Sequence, residues 1–518
     1  MTAHARIVLL LMPAAAAGCR VADPVPAAYG ASEETSSLHA ADDDGPRART
    51  PIKHVVVIFD ENRSFDNYFA TYPRAANLPG ETPFHARPGT PSVNGLGDTL
   101  LTHNPNKVQP FRYAPSQART CDQNHDYDAE QRAYHGGLLD RFVEEVGASD
   151  PGCDPGSVMG YFDGNTVTAL WSYAQHFALH DNFFGSTFGP SMVGAMNFAS
   201  GQTHGVIPDS FTTPSGSVRV IEGTLVGNLP AKYDDCAAPA NKIELTGRNI
   251  GNLLNDKGVT WGWFADGFRP DSFLPDGTAV CSRSHVGSDG NPLIDYDDPD
   301  PFEYYLSTSN QHHLPPTSIA HIGKTDQANH QYDITDFFAA AERGHAPAVA
   351  FLRPPEYRDG HPVQSDPLAE QQFLVETVNR LQRLPEWDSM AVFITYDESD
   401  GWYDHVMPPI VSTSQLPLDG LTGPGSCGVA VPGKPQGRCG YGPRIPLLLV
   451  SPFARENYVD HALADQTSLI RFIEDNWDLG RIGGGSFDEL AGSLVDMFDF
   501  HHPRREKLFL DPVTGQER

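Results

Sequence analysis

The chain has 518 residues, 39% of them hydrophobic, with 66 acidic against 36 basic side chains and a formal net charge of −30. That length can bury a sizeable core as one large domain or two, and the charge disfavours nucleic acid and anionic lipid by plain repulsion. With 48 glycines and 44 prolines, the composition is that of a loop-rich globular protein and excludes a membrane-spanning or disordered one.

At the N-terminus, Arg6, the apolar stretch Ile7 to Met12 and the small residues Ala14 to Gly18 read as an export signal, too short to cross a bilayer. Ala16-Ala17-Gly18-Cys19 resembles a lipoprotein processing site. The expectation is an exported protein, periplasmic or anchored to a membrane through a lipidated Cys19, with cleavage by an ordinary signal peptidase and secretion as the alternative. Residues 20–50 carry no apolar periodicity and are expected to form a flexible tether, with the main domain covering 51–518. Beyond Cys19 there are six cysteines, an even number that suits an oxidising compartment. Pairing neighbours in sequence closes the shortest loops and gives the expected bridges Cys121 with Cys153, Cys236 with Cys281 and Cys427 with Cys439.

Folding is expected to begin near Pro51. The nearly continuous β-branched run Ile52 to Phe59 has the pattern of a central parallel strand buried on both faces. The same pattern returns at Ala348 to Leu352, Met390 to Tyr396 and Ile445 to Val450. Residues 366–384 predict an amphipathic helix with Asp366 as N-cap before Pro367, and residues 465–477 predict another. Strands alternating with helices imply an α/β fold with a mostly parallel sheet and helices on both faces. The Gly-, Pro- and Ser-rich stretch of about 205–330, interrupted by a helix at 249–257 and a strand at 259–264, is expected to be an insertion or cap.

Ligands bind beyond the carboxyl ends of strands in such sheets. Glu61 and Asn62 follow the first strand, while Asp397 and Glu398 follow the Met390 to Tyr396 strand, so two distant segments present hard oxygen ligands at one edge. Crowded carboxylates repel, and a divalent cation removes that cost. In Phe188-Gly189-Pro190-Ser191, a tight turn leads into a helix and places Ser191 at its N-terminus. Free N–H groups there favour a phosphate, and a bound cation would activate the hydroxyl as nucleophile. The surroundings lack the G-x-S-x-G of an esterase elbow. Polar loops carry His125, the pair His312-His313, His361 and His405, side chains able to donate to phosphoryl oxygens and to protonate a leaving group.

Taken together, these segments resemble the bacterial phosphoesterase family of acid phosphatases and nonspecific phospholipases C, distant relatives of alkaline phosphatase. The resemblance spans about residues 50–480. It rests on Glu61-Asn62-Arg63-Ser64-Phe65-Asp66, Asn124-His125-Asp126, Gly189-Pro190-Ser191 with Ser200-Gly201-Gln202, His312-His313-Leu314-Pro315-Pro316, and residues 397–405. It implies an alkaline-phosphatase-like core and one divalent metal, Ca, Mg, Mn or Zn, held by Glu61, Asn62, Ser191, Asp397 and Glu398. It further implies that His125, His312, His313 and His361 face the phosphate. Two departures stand out: Glu398 replaces the second of two successive aspartates, and Met192-Val193 follows the serine in place of Thr-Pro. The expected activity is hydrolysis of a phosphomonoester through a phosphoseryl intermediate. The alternatives are a phospholipase C acting on phospholipid head groups and an inactive protein that holds a phosphorylated ligand.

Overall fold

A computed structural model describes residues 46–148, 151–296 and 300–518. The expected export signal, Cys19 and nearly all of the tether lie outside the described residues. The backbone is already attached before Pro51: the Arg49 N–H donates to the Asn476 carbonyl at 2.7 Å and Thr50 Oγ1 to Asn476 Oδ1 at 2.7 Å.

The expected apolar runs form the centre of an eight-stranded sheet. In chain order its strands are β1 (His54–Asp60), β2 (Ala178–His180), β3 (Trp261–Ala265), β4 (Gln331–Asp333), β5 (Val349–Arg353), β6 (Met390–Tyr396), β7 (Leu447–Val450) and β8 (Tyr458–Asp460). Their spatial order is β4-β3-β5-β1-β6-β7-β2-β8. All pairings are parallel except those of β7, which runs against both neighbours. The fold is therefore α/β with a mostly parallel sheet, as expected.

Side chains alternate across a strand, and the contacts sort the helices accordingly. Phe59 packs edge-on against Phe198 of the helix Ser191–Ser200, and Phe393 packs against Phe472 of the helix Thr467–Trp477. From the opposite face, Tyr396 meets Tyr68 of the short helix Phe65–Phe69 and donates to Glu370 of the helix Pro367–Leu381. Helices thus cover both faces. Asp366 caps Pro367–Leu381 by accepting from the Leu368 and Ala369 N–H groups at 2.9 and 3.0 Å.

Within residues 205–330, the helix Ile250–Lys257 and β3 belong to the main body, β3 as a full member of the sheet. The remainder makes short pieces such as the hairpins pairing Ser272–Phe273 with Ala279–Val280 and Ser284–Val286 with Pro292–Ile294. All three expected disulfides are present. No helix among the described residues is long and apolar enough to cross a membrane.

Candidate active site

The register of β5, β1 and β6 brings three carboxyl ends together, with Ile58 opposite Leu352 and Asp60 opposite Tyr396. Glu61-Asn62, Arg353 and Asp397-Glu398 therefore emerge side by side. The Asn62 N–H donates to Asp397 Oδ1 at 2.7 Å, and its side-chain amide donates to Asp400 Oδ1 at 3.2 Å. Asn62 and Asp400 both hold positive φ, 62° and 56°, a costly conformation that surrounding structure must enforce. Arg353 Nη2 donates to Glu61 Oε1 at 2.9 Å and to Glu356 Oε1 at 2.8 Å, all three side chains being buried.

Ser191 enters from above the sheet. It is the first residue of its helix, after Pro190 as N-cap, and its Oγ lies 3.5 Å from Asn62 Oδ1. Gly194, one turn on and on the same helix face, explains the closeness: a Cβ there would stand 2.0 Å from the Asp397 carbonyl oxygen. Only glycine lets the helix settle on the end of β6. Four of the five expected metal ligands, Glu61, Asn62, Ser191 and Asp397, are gathered at this edge. Glu398 joins through its backbone, its carbonyl accepting from the Arg63 N–H at 2.9 Å, and through its side chain, which accepts from the Asp400 N–H.

Burial, followed by the charge of Glu398, pushes the Asp397 carboxyl up to about 7. Burial also raises Glu398, as do Glu130 and Asp400, while His125 opposes them. Asp400 is raised by burial and by Asp122. Asp397 Oδ2, Glu398 Oε1 and Asp400 Oδ2 are buried without a hydrogen-bond donor. Buried oxygens of this kind demand a positive partner, and the donor set of carboxylates, an amide oxygen and a hydroxyl fits a hard divalent cation.

His125 stands beside this group. Its Nδ1 lies 2.9 Å from the Gln123 carbonyl and 3.3 Å from Asp400 Oδ1. Burial works against its charge but is outweighed by Glu398, Asp400 and Asp122, so its pKa is raised well above the ordinary value. His361 shares the neighbourhood through its electrostatic contact with Asp122, its own Nδ1 lying 2.7 Å from the Pro362 carbonyl. The other expected pair has different partners. His313 is buried, with Nε2 2.9 Å from Asp234 Oδ1, Nδ1 2.7 Å from the Phe268 carbonyl and its ring stacked on Phe268. His312 is half-exposed and lies 2.7 Å from Asp235 Oδ2. These contacts tie the pair to the 234–236 turn, next to the Cys236–Cys281 bridge.

A second buried network fastens the two acidic segments. Arg444 Nη2 reaches Asp66 Oδ1 and Asp404 Oδ2, both at 3.1 Å, and His405 Nδ1 lies 2.6 Å from Asp66 Oδ2. Several neighbours of the site were not singled out in the sequence: Asp122, Glu130, Arg353, Asp400 and Asn228, whose Oδ1 accepts from the Met192 N–H at 3.0 Å. Arg353 had a signal, since it ends a strand whose carboxyl edge was expected to carry polar groups. Asp400 lay inside a quoted segment. Asp122 and Glu130 are single acids in polar surroundings and carried no signal.

Fold and cluster together define an α/β protein whose polar site occupies the carboxyl edge of a mostly parallel sheet, with a serine at a helix N-terminus facing buried carboxylates. Residues 52–480 match the model of the Phosphoesterase family, and the chain belongs to that family. It is 24% identical over 478 residues to the non-hemolytic phospholipase C of Pseudomonas aeruginosa, covering 90% of this chain and 60% of that protein. It is likewise 24% identical over 476 residues to phospholipase C B of Mycobacterium tuberculosis, covering 88% and 80% respectively. A 26% match to the non-hemolytic phospholipase C of Burkholderia pseudomallei covers 82% of this chain and 55% of that protein. The chain thus spans little more than half the length of the Pseudomonas and Burkholderia relatives. Among solved structures it is similar to an alkaline phosphatase superfamily protein from Vibrio parahaemolyticus, at 11% identity and a TM-score of 0.29, over 75% of this chain and 74% of that one.

Proposed function

We propose that this chain is a metal-dependent hydrolase of phosphate esters with Ser191 as nucleophile. The observation that carries the reading is the position of Ser191 Oγ, at a helix N-terminus and 3.5 Å from Asn62 Oδ1, beside carboxylate oxygens that lack donors. A divalent cation held by Glu61, Asn62, Ser191, Asp397 and Glu398 would supply Lewis-acid charge and ease deprotonation of the serine hydroxyl. The helix N-terminus orients the hydroxyl and favours the phosphoryl anion through its dipole and N–H groups. Ser191 gives up its hydroxyl proton to solvent, its Oγ bonds to phosphorus as the bond to the leaving oxygen breaks, and the departing alkoxide takes a proton from His125. Water then attacks the phosphoserine and gives one proton back to His125, while the bond from phosphorus to Oγ breaks and the serine oxygen takes a proton from solvent, releasing phosphate and free serine. His125 takes this part because it stands against the acidic loop, 3.3 Å from Asp400 Oδ1, where Glu398, Asp400 and Asp122 raise its pKa against the effect of burial, and His361 is assigned to the substrate oxygens.

The preferred substrate is a small phosphomonoester, on the resemblance of the Gly-Pro-Ser turn to acid phosphatases. A second reading, phospholipase C, is favoured by the names of the Pseudomonas, Burkholderia and Mycobacterium relatives. Parallel assays on a chromogenic phosphomonoester and on phosphatidylcholine, with and without chelator and with Ser191→Ala, separate them. Turnover of the monoester supports the first reading and turnover of lipid alone the second. No turnover under any condition overturns both in favour of a protein that binds a phosphorylated ligand. Export, with Cys19 as a lipid anchor, completes the reading; the three disulfides support the oxidising compartment, and mass spectrometry of the mature N-terminus tests the anchor.

A further inference from the structure

Glu130 takes no part in the reaction above, yet its carboxylate bridges the two halves of the site. It sits on the eight-residue helix Tyr127–Tyr134 with 1% of its surface exposed. Its Oε1 accepts from Ser399 Oγ at 2.7 Å and its Oε2 accepts from the Gly189 N–H at 3.1 Å. Ser399 follows Glu398 directly and also braces its own loop, its Oγ accepting from the Gly401 N–H at 3.1 Å. Gly189 stands two residues before Ser191 at φ 125°, a backbone region essentially reserved for glycine.

We propose that Glu130 is a positioning residue, which sets the Ser191 hydroxyl against the acidic loop that carries Asp397 and Glu398. The proposal rests on the function argued above. A buried carboxylate is costly unless its oxygens are hydrogen-bonded, and both of these bonds go to the segments whose separation decides whether Ser191 meets the ligand group. An acid that served only packing could be replaced by an apolar side chain of similar volume; this one supplies two acceptors at two fixed points.

The test compares the full chain with its Glu130→Ala, Glu130→Gln and Ser399→Ala variants on whichever of the two substrates the wild type turns over. Glutamine keeps the geometry, because its carbonyl accepts from Gly189 while its amide donates to the serine oxygen. A misplacement of the order of 1 Å costs about 100-fold in rate. Glu130→Ala is therefore expected to lose that much in kcat with KM nearly unchanged, while Glu130→Gln recovers most of it. Hydrogen exchange read by mass spectrometry should rise in the peptide spanning residues 185–195 of Glu130→Ala and stay at the wild-type level in Glu130→Gln. If Glu130→Ala does not fold, Ser399→Ala decides, and a fall in its kcat is expected. Wild-type kcat in Glu130→Ala, or in Ser399→Ala where the first variant does not fold, overturns the proposal, as does a glutamine variant as impaired as the alanine one. A wild type that turns over neither substrate overturns the functional reading and this proposal with it. An active wild type, an inactive Ser191→Ala and an unaffected Glu130→Ala remove the role of Glu130 alone.

Discussion

Ser191 Oγ and Asn62 Oδ1 lie 3.5 Å apart although 129 residues separate them in the chain. The contact joins the N-terminus of a helix to the end of β1, and neither residue alone defines chemistry. Replacing Ser191 by alanine should lower kcat by at least about 10³-fold while the protein stays folded, since loss of a nucleophile removes an interaction realised in the transition state. Steady-state kinetics alongside a melting curve checks this.

Removal of His125 should depend on the leaving group. His125→Asn is expected to lower kcat/KM for an alkyl phosphate, which reports phosphorylation of Ser191 alone, by about 10²-fold, the usual range for a general acid. An activated aryl phosphate, whose leaving phenolate needs no proton, should be slowed far less. Equal losses on the two substrates would take the proton-donor role away from His125.

Gly194→Ala places a methyl group where the Asp397 carbonyl oxygen already stands, 2.0 Å from the added carbon. The helix must lift or the end of β6 must move. Overpacking of this kind costs about 1–3 kcal/mol, so a lower melting temperature and a larger fall in kcat than in stability are expected. Denaturant titration and kinetics on one preparation measure both.

Chelation should destabilise as well as inactivate. Burial first, and then the neighbouring acids, push Asp397 up to about 7 and raise Glu398 and Asp400, so their ionised forms are unfavourable without a cation. A ligand present at 100 times its dissociation constant stabilises by about 2.7 kcal/mol. Calorimetric scans with and without chelator, followed by readdition of Ca, Mg, Mn or Zn, should show the melting temperature fall and recover, and the ion that restores it best identifies the preferred metal.

His405 gives a prediction in pH. Burial works against its charge, but Asp66 outweighs it with help from Asp404, against the opposing Arg444, so its pKa is raised. A raised folded-state value contributes stability that is complete below the ordinary histidine pKa of about 6.5 and is lost as pH rises through the elevated value. The stability difference between wild type and His405→Gln, about 2 kcal/mol for one lost hydrogen bond to a charged group since Arg444 still pairs with Asp66, should therefore be largest in mild acid and shrink toward alkaline pH. Denaturation midpoints at several pH values test it.

The centre of the fold was legible because β1, β5 and β6 are buried on both faces and leave near-continuous apolar runs. Met390–Tyr396 came out with its bounds correct, and Ile52 to Phe59 differs from His54–Asp60 by one or two residues at each end. The strands Ala178–His180, Gln331–Asp333 and Tyr458–Asp460 were not legible. Three residues are too few to show a period, and their partners in the sheet supply the reason they are strands. For the site, the acids at strand ends could be read because topology fixes where strand ends lie. The histidines could not be sorted in the same way: His125 and His313 both sit in polar loops, and only the fold shows one beside Asp400 and the other enclosed by Phe268 and Asp234. The disulfide pairs followed from short loop closure.

Arg444 gives the network around Asp66 a wider meaning. The segment from Glu61 to Asp66 starts with ligand candidates and finishes at one carboxylate of the arginine, and the segment from Asp397 to Asp404 does the same at another. One guanidinium, far along the chain from both, therefore buckles the trailing ends of the two straps whose leading ends make up the site. Loss of the guanidinium at position 444 would therefore loosen both straps at once, and the offsets from Glu61 to Asp66 and from Asp397 to Asp404 are each tied to that one clasp.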